Sequence, residues 1–332
     1  MKKILLATMF VASLAGCMTS CSSNDDVPQP TPEQGQKPLN VITEIGSKAV
    51  NIGPVSLFRD GDQIGLFATK GSLGSNYNDF AGYANVNSTR QGGKWIQDPS
   101  VYLTGENCTI FAYFPYKRGL ADGASIDIES TSQTDYMYGT HTDPTSVVNS
   151  DNPDVFITMK HALALIQFNI FKKNYNAAAK LTKIAIQGNT GYLFKTAKMN
   201  CQTGVVTNKL EADAAGISIQ NDIEGLIPSI GTEVSMVEAS FPKVLSLPVN
   251  SILRDGDLTA TFTIDGKDYT YKFAAGTNWL SGKKYTYTIT LNGTEANIGG
   301  DGSGEGGGSV DGSDVDIDDW NPGDTNGSGS LK

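Results

Sequence analysis

Tyr285-Thr286-Tyr287-Thr288-Ile289-Thr290-Leu291 carries the clearest structural signal in the 332 residues. Large apolar side chains stand at every second position with threonine between them, the two-residue period of a strand with one buried and one wet face. A helix would scatter the same residues around its circumference, and β-branched and aromatic residues favour the pleated surface of a sheet. The pattern recurs upstream. Leu258, Ala260, Phe262 and Ile264 alternate with Thr259, Thr261 and Thr263, and Asp265-Gly266 then turns the chain into Tyr269, Tyr271 and Phe273, as in a hairpin. Ile166, Phe168 and Ile170 alternate with Gln167 and Asn169. Cys108 to Tyr113 is a denser apolar run, expected of a strand covered on both faces. Long amphipathic helical stretches are missing, and the best short candidate is Tyr175 to Leu181, around Ala177-Ala178-Ala179. Many short strands between Gly, Asn and Asp turns predict an all-β protein made of antiparallel β-sandwiches.

A chain of this length has room for two cores of ordinary size. Ile166 to Phe171 is expected to close the first sandwich, and Leu181 to Gln187 starts new strand patterning after the polar segment Lys172 to Lys180. The expected organisation is a signal peptide over 1–20, a Ser/Pro/Gln-rich disordered tether over 21–38, an N-terminal sandwich over 39–176, a C-terminal sandwich over 177–293 and a Gly/Asp-rich tail over 294–332. A local echo, Phe58-Arg59-Asp60-Gly61-Asp62 and Leu253-Arg254-Asp255-Gly256-Asp257, fits two comparable halves or chance.

Lys2 and Lys3 precede an apolar run from Ile4 to Ala15, the length of a signal-peptide core and too short to span a bilayer. Leu14-Ala15-Gly16-Cys17 is a box of the kind lipoprotein processing reads, with acylation of the cysteine sulfur. Met18-Thr19-Ser20-Cys21 is a poorer box, but the Ser22-Ser23-Asn24-Asp25-Asp26 behind it resembles a surface-export signal of some Gram-negative anaerobes. Cys17 is favoured and Cys21 stays open. The acyl chains would then anchor the protein to outer-membrane lipid. Beyond these only Cys108 and Cys201 remain, too few for a disulfide-stapled scaffold.

The net charge of −10 gathers in the tail, where residues 295–332 hold nine acids against Lys332 alone. A basic patch of the kind nucleic acid requires is missing, which sets that partner aside. Catalytic patterns are also missing. His141 and His161 share no metal-site spacing, and His161 opens the strand Ala162 to Ile166 as a capping or packing residue. The body's acids sit mostly beside glycine in turns, and neither a Gly-x-Ser-x-Gly elbow nor a phosphate loop occurs. An enzyme, a cofactor and a resident metal are therefore not expected. Asp314, Asp316 and Asp318 are spaced like the start of a calcium loop, but Asp319 and Thr325 stand where that loop needs Gly and Glu. Val315, Ile317 and Trp320, reached through a glycine stretch, read instead as a short strand that pairs with a sheet edge, its own or a neighbour's.

Several motifs then fall in a familiar order: Asp60 to Phe67 (DGDQIGLF), Ala112 to Tyr116 (AYFPY), Asp135 to Gly139 (DYMYG), Lys160 to Ala164 (KHALA) and Trp279 to Tyr285 (WLSGKKY). Over about residues 39–293 the chain resembles the fimbrillin-like proteins. The resemblance implies two transthyretin-like β-sandwich domains in tandem, made as a lipoprotein precursor and assembled at the outer membrane into type V pili from copies of itself or related subunits. It also implies a trypsin-like, usually arginine-specific protease that removes the first strand, so that the exposed groove accepts a strand from the next subunit. Here the first strand is expected over Leu39 to Ile45, and Lys48 occupies the place of the cleavage arginine, while Arg59 is the first arginine of the chain. Without cleavage the protein would be an anchor or a stand-alone surface adhesin binding host protein or glycan. Tyr77, Phe80, Tyr83 and Trp95, in a Gly/Asn-rich stretch, would either stack on sugars or pack against the sandwich.

Overall fold

A computed structural model describes residues 30–45, 57–211, 216–219, 225–229, 231–233, 241–292, 310–319 and 329–330. Strands are the dominant regular structure of the described residues, beside two short 3-10 turns at Tyr77–Asp79 and Ala81–Tyr83. The first half contributes β1 (Lys37–Pro38), β2 (Asn40–Ile45), β3 (Gln63–Thr69), β4 (Val86–Gln91), β5 (Lys94–Asp98), β6 (Tyr102–Leu103), β7 (Thr109–Phe114), β8 (Ile126–Glu129), β9 (Met137–His141) and β10 (Asp154–His161). The second contributes β11 (Ala164–Lys173), β12 (Lys180–Gly188), β13 (Phe194–Met199), β14 (Val206–Glu211), β15 (Ile217–Ile219), β16 (Gly225–Leu226), β17 (Lys243–Ser246), β18 (Leu258–Ile264), β19 (Lys267–Lys272), β20 (Lys283–Asn292), β21 (Val310–Asp319) and β22 (Gly329–Ser330). The helical candidate at Tyr175–Leu181 is not a helix. Ala179 takes a φ of 60° there and Lys180 already opens β12.

The N-terminal body is a seven-stranded sheet in the order β2-β10-β9-β7-β3-β4-β5. It curls until its two edges approach, and Trp95 of β5 donates its Nε1–H to Thr43 Oγ1 of β2 at 2.9 Å. Its concave face holds a core that includes Val41, Ile64, Leu66, Ile110, Ala112, Val155 and Ile157. The tether ends earlier than expected, because Lys37–Pro38 already pairs with Tyr102–Leu103 and Leu39 is buried.

The C-terminal body packs the sheet β17-β11-β20-β21-β22 against the sheet β15-β12-β18-β19, with β16 also paired to β12. Ile166, Phe168, Ile170, Tyr285, Tyr287 and Ile289 from the first sheet meet Ile184, Ile186, Leu258, Phe262 and Ile264 from the second. The expected 258–273 hairpin is present, and Asp265 and Gly266 turn with φ of 48° and 78°, the paired left-handed conformation that suits a two-residue hairpin loop.

Two expectations need correction. Ile166–Phe171 does not close the first sandwich. It lies within β11, paired antiparallel with β17 and parallel with β20, and its apolar face belongs to the second core. The seam between the two main cores therefore falls between β10 and β11, around residues 162–163, ahead of the boundary near 176. The all-β, largely antiparallel fold expected is present, with two parallel pairs, β2–β10 and β11–β20, set into it.

A third cluster joins the bodies. The convex face of the N-terminal sheet supplies Phe67, Phe111 and Tyr113, the link supplies Ala162 and Leu163, and β11, β13 and β17 supply Leu165, Met199 and Leu245. Alternate residues of β7 thus enter two different cores, which is why Thr109–Phe114 reads as apolar on both faces. A small sheet, β14-β13-β8, draws strands from both halves of the chain.

Candidate assembly edges

The first strand of the large sheet sits at its edge. β2 runs parallel to β10 from Asn40 opposite Asp154 to Ile45 opposite Met159, and among the described residues β10 is its one ladder neighbour. Val41 and Ile45 within it and Leu39 just ahead of it are buried, each worth about 2 kcal/mol of apolar burial. The outer face adds polar ties, Asn40 Nδ2 to Asp154 Oδ1 and Thr158 Oγ1 to Glu44 Oε1, both at 3.0 Å. Between these ties Ile42 and Phe156 form an exposed apolar pair in register. Taking the segment from Leu39 to Ile45 away would uncover the pockets of three core residues beside the freed edge of β10, a ready seat for another extended segment.

At the other end of the chain, β21 pairs antiparallel with β20. Val315 stands opposite Tyr287 and Ile317 opposite Tyr285, while Asp314, Asp316 and Asp318 stand opposite Thr288, Thr286 and Lys284. The apolar positions of the tail strand thus share the register of the core-facing positions of β20. A bulge between Thr288 and Ile289 shifts the pairing so that Gly312 meets Ile289. Trp320, the third residue of the expected tail strand, lies outside the described residues, as do Cys17, Cys21 and Lys48.

Arg59 occupies a tight turn. Its N–H donates to Asp62 Oδ2 at 2.7 Å, its carbonyl accepts the Asp62 N–H at 3.1 Å, and the Asp60 carboxylate holds the N–H groups of Gly92 and Gly93. Arg254 repeats the arrangement, with its N–H on Asp257 Oδ2 at 3.0 Å and Asp255 holding the Ala275 N–H at 2.8 Å. Gly61 and Gly256 have φ of 97° and 79°, so each turn needs glycine at the same place. The sequence echo is therefore a structural repeat, one copy ahead of β3 and one ahead of β18. A backbone folded this tightly is not the extended segment a protease takes up.

The four aromatics expected either to stack on sugars or to pack do the latter. Tyr77, Tyr83 and Trp95 are buried. The Tyr77 hydroxyl donates to Glu106 O at 2.8 Å and accepts the Thr104 N–H, and the Tyr83 hydroxyl accepts the Tyr102 N–H. Phe80 stacks edge-on to Tyr83 with ring centroids 4.8 Å apart. Their rings and hydroxyls pin loops to the sheet.

The histidines are structural. His161 Nδ1 lies 2.9 Å from Asp135 Oδ1 at the buried end of β10. His141 accepts the Ile110 N–H at Nε2, 3.0 Å, which places its ring proton on Nδ1 facing Ser146 Oγ at 3.1 Å. The Cys108 and Cys201 thiols are free, buried and pushed up to about 12 by desolvation, inert by that measure. The Trp95–Thr43 contact that ties the sheet edges was not visible in the sequence, where Trp95 reads as one of four aromatics in a Gly/Asn-rich stretch.

Strand edges are what the described residues offer, and the class they define is that of all-β proteins. More particularly, the chain belongs to the fimbrillin-like family, whose model matches residues 48–320. A solved structure from Bacteroides uniformis, of a protein provisionally described as a cell adhesion protein, is similar with a TM-score of 0.57 at 19% identity, covering 86% of this chain and 99% of that one. A second so described, from Bacteroides ovatus, gives 0.56 at 16% identity, covering 86% and 98%. At such identities the likeness is one of fold. No curated protein matches the chain. Family membership makes it a non-enzymatic structural protein of the fimbrial class, found in cell-surface appendages. Among the described residues no helix is long and apolar enough to cross a membrane.

Proposed function

We propose that this chain is a pilus subunit exported as an outer-membrane lipoprotein, acylated on Cys17 or Cys21, and assembled by strand exchange with copies of itself or related subunits. In this reading cleavage behind Ile45 frees β2, and the tail strand of another copy, with Val315, Ile317 and Trp320, takes its place beside β10. The observation that carries it is the placement of β2 at the end of the large sheet, where the segment from Leu39 to Ile45 covers core pockets, together with the pairing of the tail strand β21 in step with the core-facing positions of β20. Lys48 is the only basic residue between 46 and 56, and the Arg59 bond lies in a turn fastened by three carboxylate contacts. The processing protease would therefore act after lysine.

An uncleaved anchor or stand-alone adhesin, contacting host protein or glycan, is the second reading, favoured by the absence of arginine between 46 and 56. Intact-mass and N-terminal analysis of protein recovered from the cell surface separates the two. A lipid-free chain beginning at Ala49 is the expected result. A full-length chain still acylated at Cys17 or Cys21 would overturn strand removal and leave the anchor or adhesin.

A further inference from the structure

The five-stranded sheet of the C-terminal body has a second edge, at β17, and a side chain from the other body covers it. β17 pairs with β11 on one side, Leu165 standing opposite Leu245. On the other side the Leu245 N–H donates to Gln133 Oε1 at 2.7 Å, and Gln133 Nε2 donates to Leu245 O at 2.9 Å. A carboxamide holding one residue's N–H and C=O together reproduces the bond pair an added strand would make there. The remaining Nε2 hydrogen goes to Ser130 O, so every polar atom of the carboxamide is used.

The loop that presents Gln133 is fastened at both ends. Ser130, fully buried, donates Oγ–H to Phe194 O at 2.9 Å and its N–H to Lys195 O at 3.0 Å, and the buried Asp135 meets His161. Between these anchors Gln133 sits at φ 53°, a left-handed conformation that non-glycine residues adopt at a cost and that persists where surroundings enforce it.

We propose that Gln133 is an edge lock: it ties the N-terminal body to the C-terminal sheet and closes the β17 edge to extended segments from other copies of the chain. The lock acts whether or not the chain is cleaved or polymerises.

Hydrogen exchange and sedimentation on the full chain test it, comparing wild type with Gln133→Leu, which keeps the bulk and loses both bonds. The Leu245 amide is expected to exchange about tenfold faster or more, as follows from losing two ordinary hydrogen bonds, while the Val244 amide stays slow. The variant is also expected to self-associate as its concentration rises. Gln133→Asn, polar but one methylene short, should behave alike and serves if the leucine variant fails to fold. Wild-type exchange at Leu245 overturns the lock, and so does faster exchange in a variant that stays monomeric at every concentration.

Discussion

His141 shows how one side chain can hold two strands and be sensitive to acid. Burial lowers its pKa from the ordinary histidine value, with the contact to Ser146 opposing. Its Nε2 must keep a lone pair to accept the Ile110 N–H, so the folded protein resists protonation there. The unfolded chain binds that proton once pH falls below about 6.5, so stability from this site is complete above that value and lost progressively below it. Urea midpoints measured from pH 8 to pH 5 should fall for the wild type, and part of that fall should vanish in His141→Asn. Equal pH slopes in the two proteins would remove the site from the account.

At the scale of elements, the seam where β2 meets β5 depends on few contacts. Trp95 donates to Thr43 and stacks edge-on to Phe58 with centroids 5.2 Å apart, while the Arg90 guanidinium lies 5.7 Å from its ring. Thr43→Val keeps shape and removes the acceptor, leaving a buried indole N–H unpaired. A loss of about 1–3 kcal/mol is expected in denaturant titration, with a shift in Trp95 emission. Local signals of this kind were legible in part. The 258–273 hairpin, the β20 alternation and the two-faced β7 follow from side-chain period and turn chemistry, which neighbours in sequence determine. The place of β11 does not. Gln167 and Asn169 read as a solvated face, yet both are buried and bonded to each other at 2.7 Å. Alternation reveals that a strand has two faces but not which distant strands it joins. The Gln133 contact, 112 residues from Leu245, leaves no mark in local sequence for the same reason.

For the whole molecule, the shared third cluster and the β14-β13-β8 sheet argue against two independent halves. Trp95 belongs to the N-terminal core and Trp279 to the C-terminal one. In variants retaining only one of these indoles, urea unfolding should give coincident midpoints, the mark of a single cooperative transition. Separate midpoints would show that the cluster couples the bodies too weakly to unite them.

The parallel pairing of β11 with β20 also bears on how the protein withstands tension. A pull transmitted from the first body enters β11 at Ala164, and one transmitted to the tail leaves β20 at Asn292. Leu165 stands beside Lys284 and Lys173 beside Asn292, so the two pulls act at opposite ends of a parallel pair along nine residues. That arrangement is loaded in shear. The bonds between the strands must yield together, whereas strands pulled from the same end peel apart one bond at a time. Resistance to stretching is then set by the rate at which the whole pair ruptures. A filament built from such links would carry its load across the strand pair that joins the centre of the second sheet.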